Sequence, residues 1–260
     1  MQPRFSGSEG AETSYDVISE ELEGDLEFGQ YLAAVIHELR NPLNGILGAA
    51  QLIADVPLDQ ETSENVQMIL TTAESMDLIL NDLMDFACIK SGVFQVAAKS
   101  FAIRPAIEEV WKFLAPQASE KGISFRTVID PAIPELVIAD RSRLRQIVLN
   151  LASNAIKFTP NGEVTIGLSW LPAMSPPKAR LIVTVEDTGV GISSECLKYV
   201  FRPFCRGAQT NETSSGHGLG LFVVGRLVTA MGGTISLKSV EGSGTTVAVN
   251  LPCQKNLGGN

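Results

Sequence analysis

Val35-Ile36-His37-Glu38-Leu39-Arg40-Asn41-Pro42-Leu43 sets one of only two histidines beside a carboxylate. A neutral imidazole offers a lone pair, and a neighbouring carboxylate can take the proton from its other nitrogen, so the pair reads as a nucleophile and its base. Three other groupings could supply what His37 attacks. Asn150, Asn154 and Lys157 fall four and three residues apart, so a helix presents two amides and an ammonium on one face. Amide oxygens suit a hard cation such as magnesium and the ammonium suits phosphate, although that helix alone reads equally well as a solvated face. Glu186-Asp187-Thr188-Gly189-Val190-Gly191 closes a strand-like run with an acceptor for an amino group and two glycines that let a ligand reach the backbone. Gly216-His217-Gly218-Leu219-Gly220 precedes an apolar helix whose N-terminus favours an anion. Singly, such glycine segments are more often structural turns, and Gly242-Ser243-Gly244-Thr245 reads as one.

The elements that must position these groups follow from periodicity. Leu32, Val35, Ile36, Leu39, Leu43, Ile46, Leu47, Ala50 and Ile53 recur at three and four, which predicts an amphipathic helix from about residue 26 with His37 exposed beside the apolar stripe. Pro42 predicts a kink just after His37. The pattern breaks at Asp55 to Asp59, and a near-heptad run through Val66, Ile69, Leu70, Ala73, Met76, Leu80, Leu83 and Phe86 predicts a second helix ending near Ser91-Gly92. A helical hairpin cannot bury both stripes alone, so two copies paired as a four-helix bundle, a homodimer, are expected.

After Gly92 short strand-like runs at 101–103, 123–129, 164–171, 181–185, 234–240 and 245–251 alternate with helix-like stretches at 105–120, 141–157, 193–200 and 218–231. Pro172 to Pro177 reads as a loop between two strands. The expected fold is α plus α/β: a helical-hairpin domain followed by a helix layer on one mixed sheet. The expected division is a flexible leader or linker over 1–25, the hairpin over 26–95, the α/β domain over 100–252 and a tail over 253–260. A net charge of −9 over 260 residues leaves no basic surface for nucleic acid or an anionic membrane. Cys88, Cys196, Cys205 and Cys253 stand singly, which fits thiols in a reducing, cytoplasmic setting. No run is long and apolar enough to span a bilayer.

In order, His-Glu on a proline-bearing helix, the Asn150/Asn154/Lys157 helix, Asp187-x-Gly-x-Gly, Phe201 with Phe204, Gly216-x-Gly218-Leu219-Gly220 and a closing Gly-x-Gly-Thr resemble the sensor histidine kinase family across roughly 28–252. The resemblance implies a dimerisation and phosphoacceptor domain and a Bergerat-type ATP-binding domain. His37 would be the phosphoacceptor, Glu38 its base, and Asn41 the polar group that orients water in phosphatase turnover. Arg40 would serve the surface or a domain contact. Asn154 would be the chief magnesium ligand, with Asn150 and Lys157 helping to hold the phosphates. Asp187 would accept the adenine amino group beside Gly189 and Gly191. Arg206 would face the phosphates, and a lid over 207–217 would end at Gly216, Gly218 and Gly220. Gyrase-type relatives carry a water-activating glutamate where Asn150 stands, so ATP would be left for an external nucleophile. The implied cofactors are ATP and Mg2+, and the implied partner is a response-regulator receiver domain. His37 to Gly48 also resembles the corresponding stretch of hybrid kinases, in which a receiver follows on the same chain. The alternatives are a non-catalytic scaffold and a phosphatase-dominant member.

Overall fold

Gly29, Ile36, Leu43 and Ala50 are buried at strict seven-residue spacing along α1 (Asp25–Ala54), and Val66, Ala73, Leu80 and Ala87 are buried at the same spacing along α2 (Gln60–Lys90). Residues seven apart return to nearly the same face of a helix, so the two rows form one seam. Ile36, Leu43, Ala73, Leu80 and Ala87 share one core there, flanked by Leu32, Ala33, Leu47, Leu83 and Met84. This computed structural model describes residues 12–15, 25–90, 96–172, 178–203 and 218–256. The chain divides into two compact units, one over Ser19–Gln95 and the other over Met1–Ile18 with Val96–Asn260.

In the hairpin, α1 runs through Pro42 as one continuous helix, with Pro42 exposed. Asp59 starts α2: its carboxylate accepts from the Thr62 N–H at 2.9 Å and the Thr62 hydroxyl at 2.8 Å. These bonds hold its pKa below the ordinary value.

In the second unit the sheet order is β1 (Glu12–Tyr15), β7 (Thr234–Val240), β8 (Gly244–Lys255), β6 (Lys178–Asp187), β5 (Glu163–Pro172) and β3 (Ser124–Ile129). Only the β3–β5 pair in this row is parallel. β4 (Leu136–Ala139) pairs with the far end of β8 and with β2 (Lys99–Ala102). The helices α3 (Ile103–Glu120), α4 (Arg141–Phe158) and α6 (Gly220–Ala230) pack side by side and against this sheet. Alternating burial along β5 and β7, with Val164, Ile166, Leu168, Ile235 and Leu237 turned inward, shows why period-two sequences settle as one-sided strands there.

Four expectations need correction. Glu12–Tyr15, within the expected flexible leader or linker, forms β1 on the β7 edge. Leu136–Ala139, outside every expected element, is a strand. The expected tail starts inside the sheet, because β8 continues to Lys255 and Cys253 is buried, its thiol pushed up to about 11 by that burial. The helix expected over 193–200 reduces to α5 (Ser194–Leu197) followed by turns. The loop expected within 172–177 lies, apart from Pro172 itself, outside the described residues. No helix among the described residues is long and apolar enough to cross a membrane.

Candidate active site

The two clusters of candidate residues sit on different units. On α1, burial of Ile36 and Leu43 turns His37, Glu38 and Asn41 outward, and all three are exposed. Asn41 stands four residues from His37, one helical turn along. Arg40, in the same stretch, takes another part: its guanidinium pairs with Asp77 at 3.4 Å and hydrogen-bonds Asn81, tying α1 to α2. That contact fixes the rotation of α1 that presents His37. The sequence offered no sign of it, because Asp77 and Asn81 lie on the other helix.

α4 carries the amides. Its N-terminus is capped by Asp140, a buried carboxylate that accepts from Arg143 N–H at 3.1 Å, Ser142 Oγ at 2.7 Å and Ala97 N–H at 2.8 Å. Burial pushes this carboxyl up, but the bonds from Ser142, Ala97 and Arg143 and the Arg143 charge outweigh it and hold the pKa below the ordinary value. At the other end Lys121 Nζ donates to the carbonyls of Ile156 at 2.9 Å and Lys157 at 2.8 Å, a cation at the helix C-terminus. Asn150, Asn154 and Lys157 are all partly exposed on this doubly anchored helix. A Cβ added to Gly220, the first residue of α6, would lie 3.3 Å from Asn154 Nδ2, so the glycine lets the start of α6 close on that amide. Gly218 and Leu219 lead into this junction, with Leu219 buried. Phe204, Arg206, Gly216 and His217 lie outside the described residues.

Asp187 ends β6. It is partly buried, and its Oδ1 accepts from Gly189 N–H at 2.9 Å and from Thr245 N–H at 3.2 Å. Burial raises its pKa above the ordinary value, against the pull of those two N–H groups. Gly189 has no room for a side chain: a Cβ would fall 2.4 Å from the Phe158 carbonyl oxygen and 2.9 Å from Asp187 Oδ1. Gly191 adopts φ +67° with the Val240 carbonyl 2.1 Å from a would-be Cβ, so both space and backbone require glycine there. The structure thus joins Asn154 to Gly220, and Asp187 to Gly189 and Thr245. Two residues outside the candidate set, Thr245 and Ser239, belong to the second group. Only the Gly-Ser-Gly-Thr turn hinted at Thr245, and nothing in the sequence distinguished Ser239.

Among the described residues no group of three His, Cys, Asp or Glu could hold a metal. The amide oxygens of Asn150 and Asn154 are donors that would suit a hard cation entering with a phosphate ligand.

The glycine-lined end of β6, the amide-bearing helix α4 and the start of α6 are the features of a nucleotide-binding α/β domain, and the other unit is a helical hairpin with an exposed histidine. Residues 139–255 match the histidine kinase-, DNA gyrase B-, and HSP90-like ATPase family, and 29–92 match the His Kinase A (phospho-acceptor) domain family. The chain belongs to the sensor histidine kinase family. It is 34% identical over 226 residues to the autoinducer 2 sensor kinase/phosphatase LuxQ of Vibrio cholerae, which covers 86% of this chain and 26% of that protein. It is 35% identical over 231 residues to the signal transduction histidine-protein kinase BarA of Escherichia coli, covering 88% of this chain and 25% of the relative. The chain thus spans about a quarter of the length of these relatives. Among solved structures, full-length ShkA in complex with AMPPNP superposes with a TM-score of 0.69 at 31% identity, covering 88% of this chain and 46% of that one.

Proposed function

We propose that this chain is the catalytic core of a protein histidine kinase that phosphorylates His37 from Mg-ATP and passes the phosphoryl group to an aspartate of a response-regulator receiver domain. One observation carries the reading. α4, which bears Asn150, Asn154 and Lys157, has no Asp or Glu anywhere from Arg141 to Phe158. An amide at Asn150 cannot activate water, so bound ATP is not set up for hydrolysis by this helix, while the exposed His37 offers a nucleophile on a phosphoacceptor hairpin. One imidazole nitrogen bonds to the γ-phosphorus as the bond from phosphorus to the β,γ-bridging oxygen breaks. ADP leaves with that electron pair, and the proton on the other ring nitrogen passes to Glu38.

Asp187 accepts the adenine amino group, with Gly189 and Gly191 as the wall beside the base. Gly218, Leu219 and Gly220 offer backbone to the phosphates and Lys157 supplies positive charge, while Gly216 and Arg206, outside the described residues, keep the roles that the resemblance implies for them. Asn154, helped by Asn150, holds Mg2+, which neutralises phosphate charge when bound. Homodimerisation through the hairpin is supported by a second apolar row, Leu39, Ile46 and Ile53, left uncovered in one chain. Phosphatase action on the receiver is the companion reading, favoured by exposed Asn41 one turn from His37 and by the name of the V. cholerae relative, sensor kinase/phosphatase.

Incubation with γ-labelled ATP and magnesium tests the proposal. Acid-labile, base-stable label is expected on the chain and absent from His37→Gln. ATP binding without any label on the unaltered chain would overturn it. The labelled preparation, given a phosphorylated receiver, then reads out phosphatase turnover.

A further inference from the structure

Val164, Asp187, Thr245 and Ser239 lie on one rung of the sheet, paired in turn across β5, β6, β8 and β7. Directly opposed residues project to the same face, and Val164 and Ser239 are buried, so the rung points into the helix-covered side. Ser239, 5% exposed, has three hydrogen-bond partners. Its Oγ donates to the Gly244 carbonyl at 3.0 Å, accepts from Ile192 N–H at 2.8 Å, and lies 2.8 Å from Thr245 Oγ1.

A serine hydroxyl has one proton and two lone pairs. The Gly244 carbonyl can only accept, so it takes the Ser239 proton, and the Ile192 N–H takes one lone pair. Thr245 must therefore donate to the remaining lone pair. With its only proton directed at Ser239, the Thr245 hydroxyl can offer a ligand nothing but acceptance. Asp187 is in the same position: both N–H bonds to it end on Oδ1, which leaves Oδ2 as an acceptor among the described residues.

We propose that Ser239 is a positioning residue that, through its bonds to Gly244, Ile192 and Thr245, fixes the Thr245 hydroxyl as a hydrogen-bond acceptor and so selects a purine whose 6-position donates over one whose 6-position accepts. This deepens the ATP reading and rests on it. An amino group at C6 meets two acceptors, whereas a 6-oxo group sets oxygen against oxygen and leaves buried acceptors unpaired, the arrangement that discriminates most strongly. Ser239 does not itself touch the base. It also joins the loop carrying Gly189 and Gly191 to the turn before Thr245, so both walls of the base pocket share one anchor.

The test compares binding of ATP and ITP, which differ in the 6-amino and 6-oxo groups, by equilibrium titration on the whole chain. Ser239→Ala frees the Thr245 proton to turn toward the ligand. It should weaken ATP on the order of ten-fold, weaken ITP less, and so shrink the ATP-to-ITP preference several-fold. Ser239→Thr, which keeps the hydroxyl, should retain the preference. Equal weakening of both nucleotides by Ser239→Ala, or no change in either, would overturn the proposal by reducing Ser239 to a structural or idle residue. Should Ser239→Ala fail to fold, Thr245→Val, which removes the acceptor at nearly constant shape, must shrink the same preference, and an unchanged ratio overturns the proposal equally. An unaltered chain that binds neither nucleotide would instead defeat the ATP reading itself.

Discussion

Asp187 illustrates how one carboxylate reports on both ligand and fold. Burial raises its pKa above the ordinary 3.8, so the charged form is the less comfortable one in the folded protein. A carboxylate with a raised folded pKa destabilises the fold where it is ionised, and that penalty lifts as pH falls through the raised value. In the role proposed for it, accepting an amino group from the base, the ionised form is the stronger acceptor. Acidification should therefore move two quantities in opposite directions: ATP affinity falls, beginning above the pH expected of an exposed aspartate, while this residue's penalty on ligand-free stability shrinks. Asp187→Asn should remove that limb of the pH profile and weaken ATP at pH 7 by about ten- to a hundred-fold, the worth of a hydrogen bond to a charged group. Isothermal titration across pH 4 to 7, paired with thermal melts of the ligand-free chain, checks both. Asp187 was legible from its Asp-x-Gly-x-Gly setting. Ser239, 52 residues downstream on another strand, was not, because its meaning lies in three partners that only strand register brings together.

At the scale of elements, α4 was read almost to the residue, since its apolar positions recur with helical period. What escaped the sequence was how strongly both ends are held. Asp140 also receives the Ala97 N–H, so the segment entering the α/β unit is fastened to the helix bearing Asn150 and Asn154. Asp140→Ala should destabilise this unit by about 1–3 kcal/mol, combining a lost cap with backbone and hydroxyl donors left unpaired. Its folded pKa is depressed, so its contribution is full above the unfolded value and disappears as pH falls through the lowered one. Urea unfolding should show the difference between Asp140→Ala and the parent chain at pH 7 shrinking below pH 4. β1 and β4 were missed for opposite reasons. Glu12-Thr13-Ser14-Tyr15 has no apolar alternation and becomes a strand because β7 offers an edge, and Leu136–Ala139 is four residues whose pairing with β8 lies more than a hundred residues away in the chain. Strand formation at such places is decided by a neighbour, not by local preference.

For the molecule as a whole, the hairpin has two seams where one chain fills only one. Ile36 and Leu43 are 1% and 2% exposed, while Leu39, Ile46 and Ile53, spaced by the same seven residues, are 51%, 50% and 46% exposed. Ile69 and Met76 continue the uncovered row on α2. Such a row is what a second copy covers in a two-fold bundle, each substitution counting twice. Ile69→Glu should raise the dimer dissociation constant about a hundred-fold or more, from the lost burial of two side chains and two charges placed in an apolar seam. Sedimentation analysis over a concentration series checks this. By itself the sequence determined the order of the motifs, the heptad spacing that makes a hairpin needing a partner, the one-sided strands, and the residue types fit to transfer a phosphoryl group. These depend on neighbours within a turn or two, where period and chemistry suffice. The tertiary structure decided which partners each polar group keeps: Arg40 with Asp77 and Asn81, Asn154 against Gly220, and the rung from Val164 through Asp187 and Thr245 to Ser239. A hydrogen bond forms only within about 3 Å, so its partner cannot be read along the chain until packing and register set that distance.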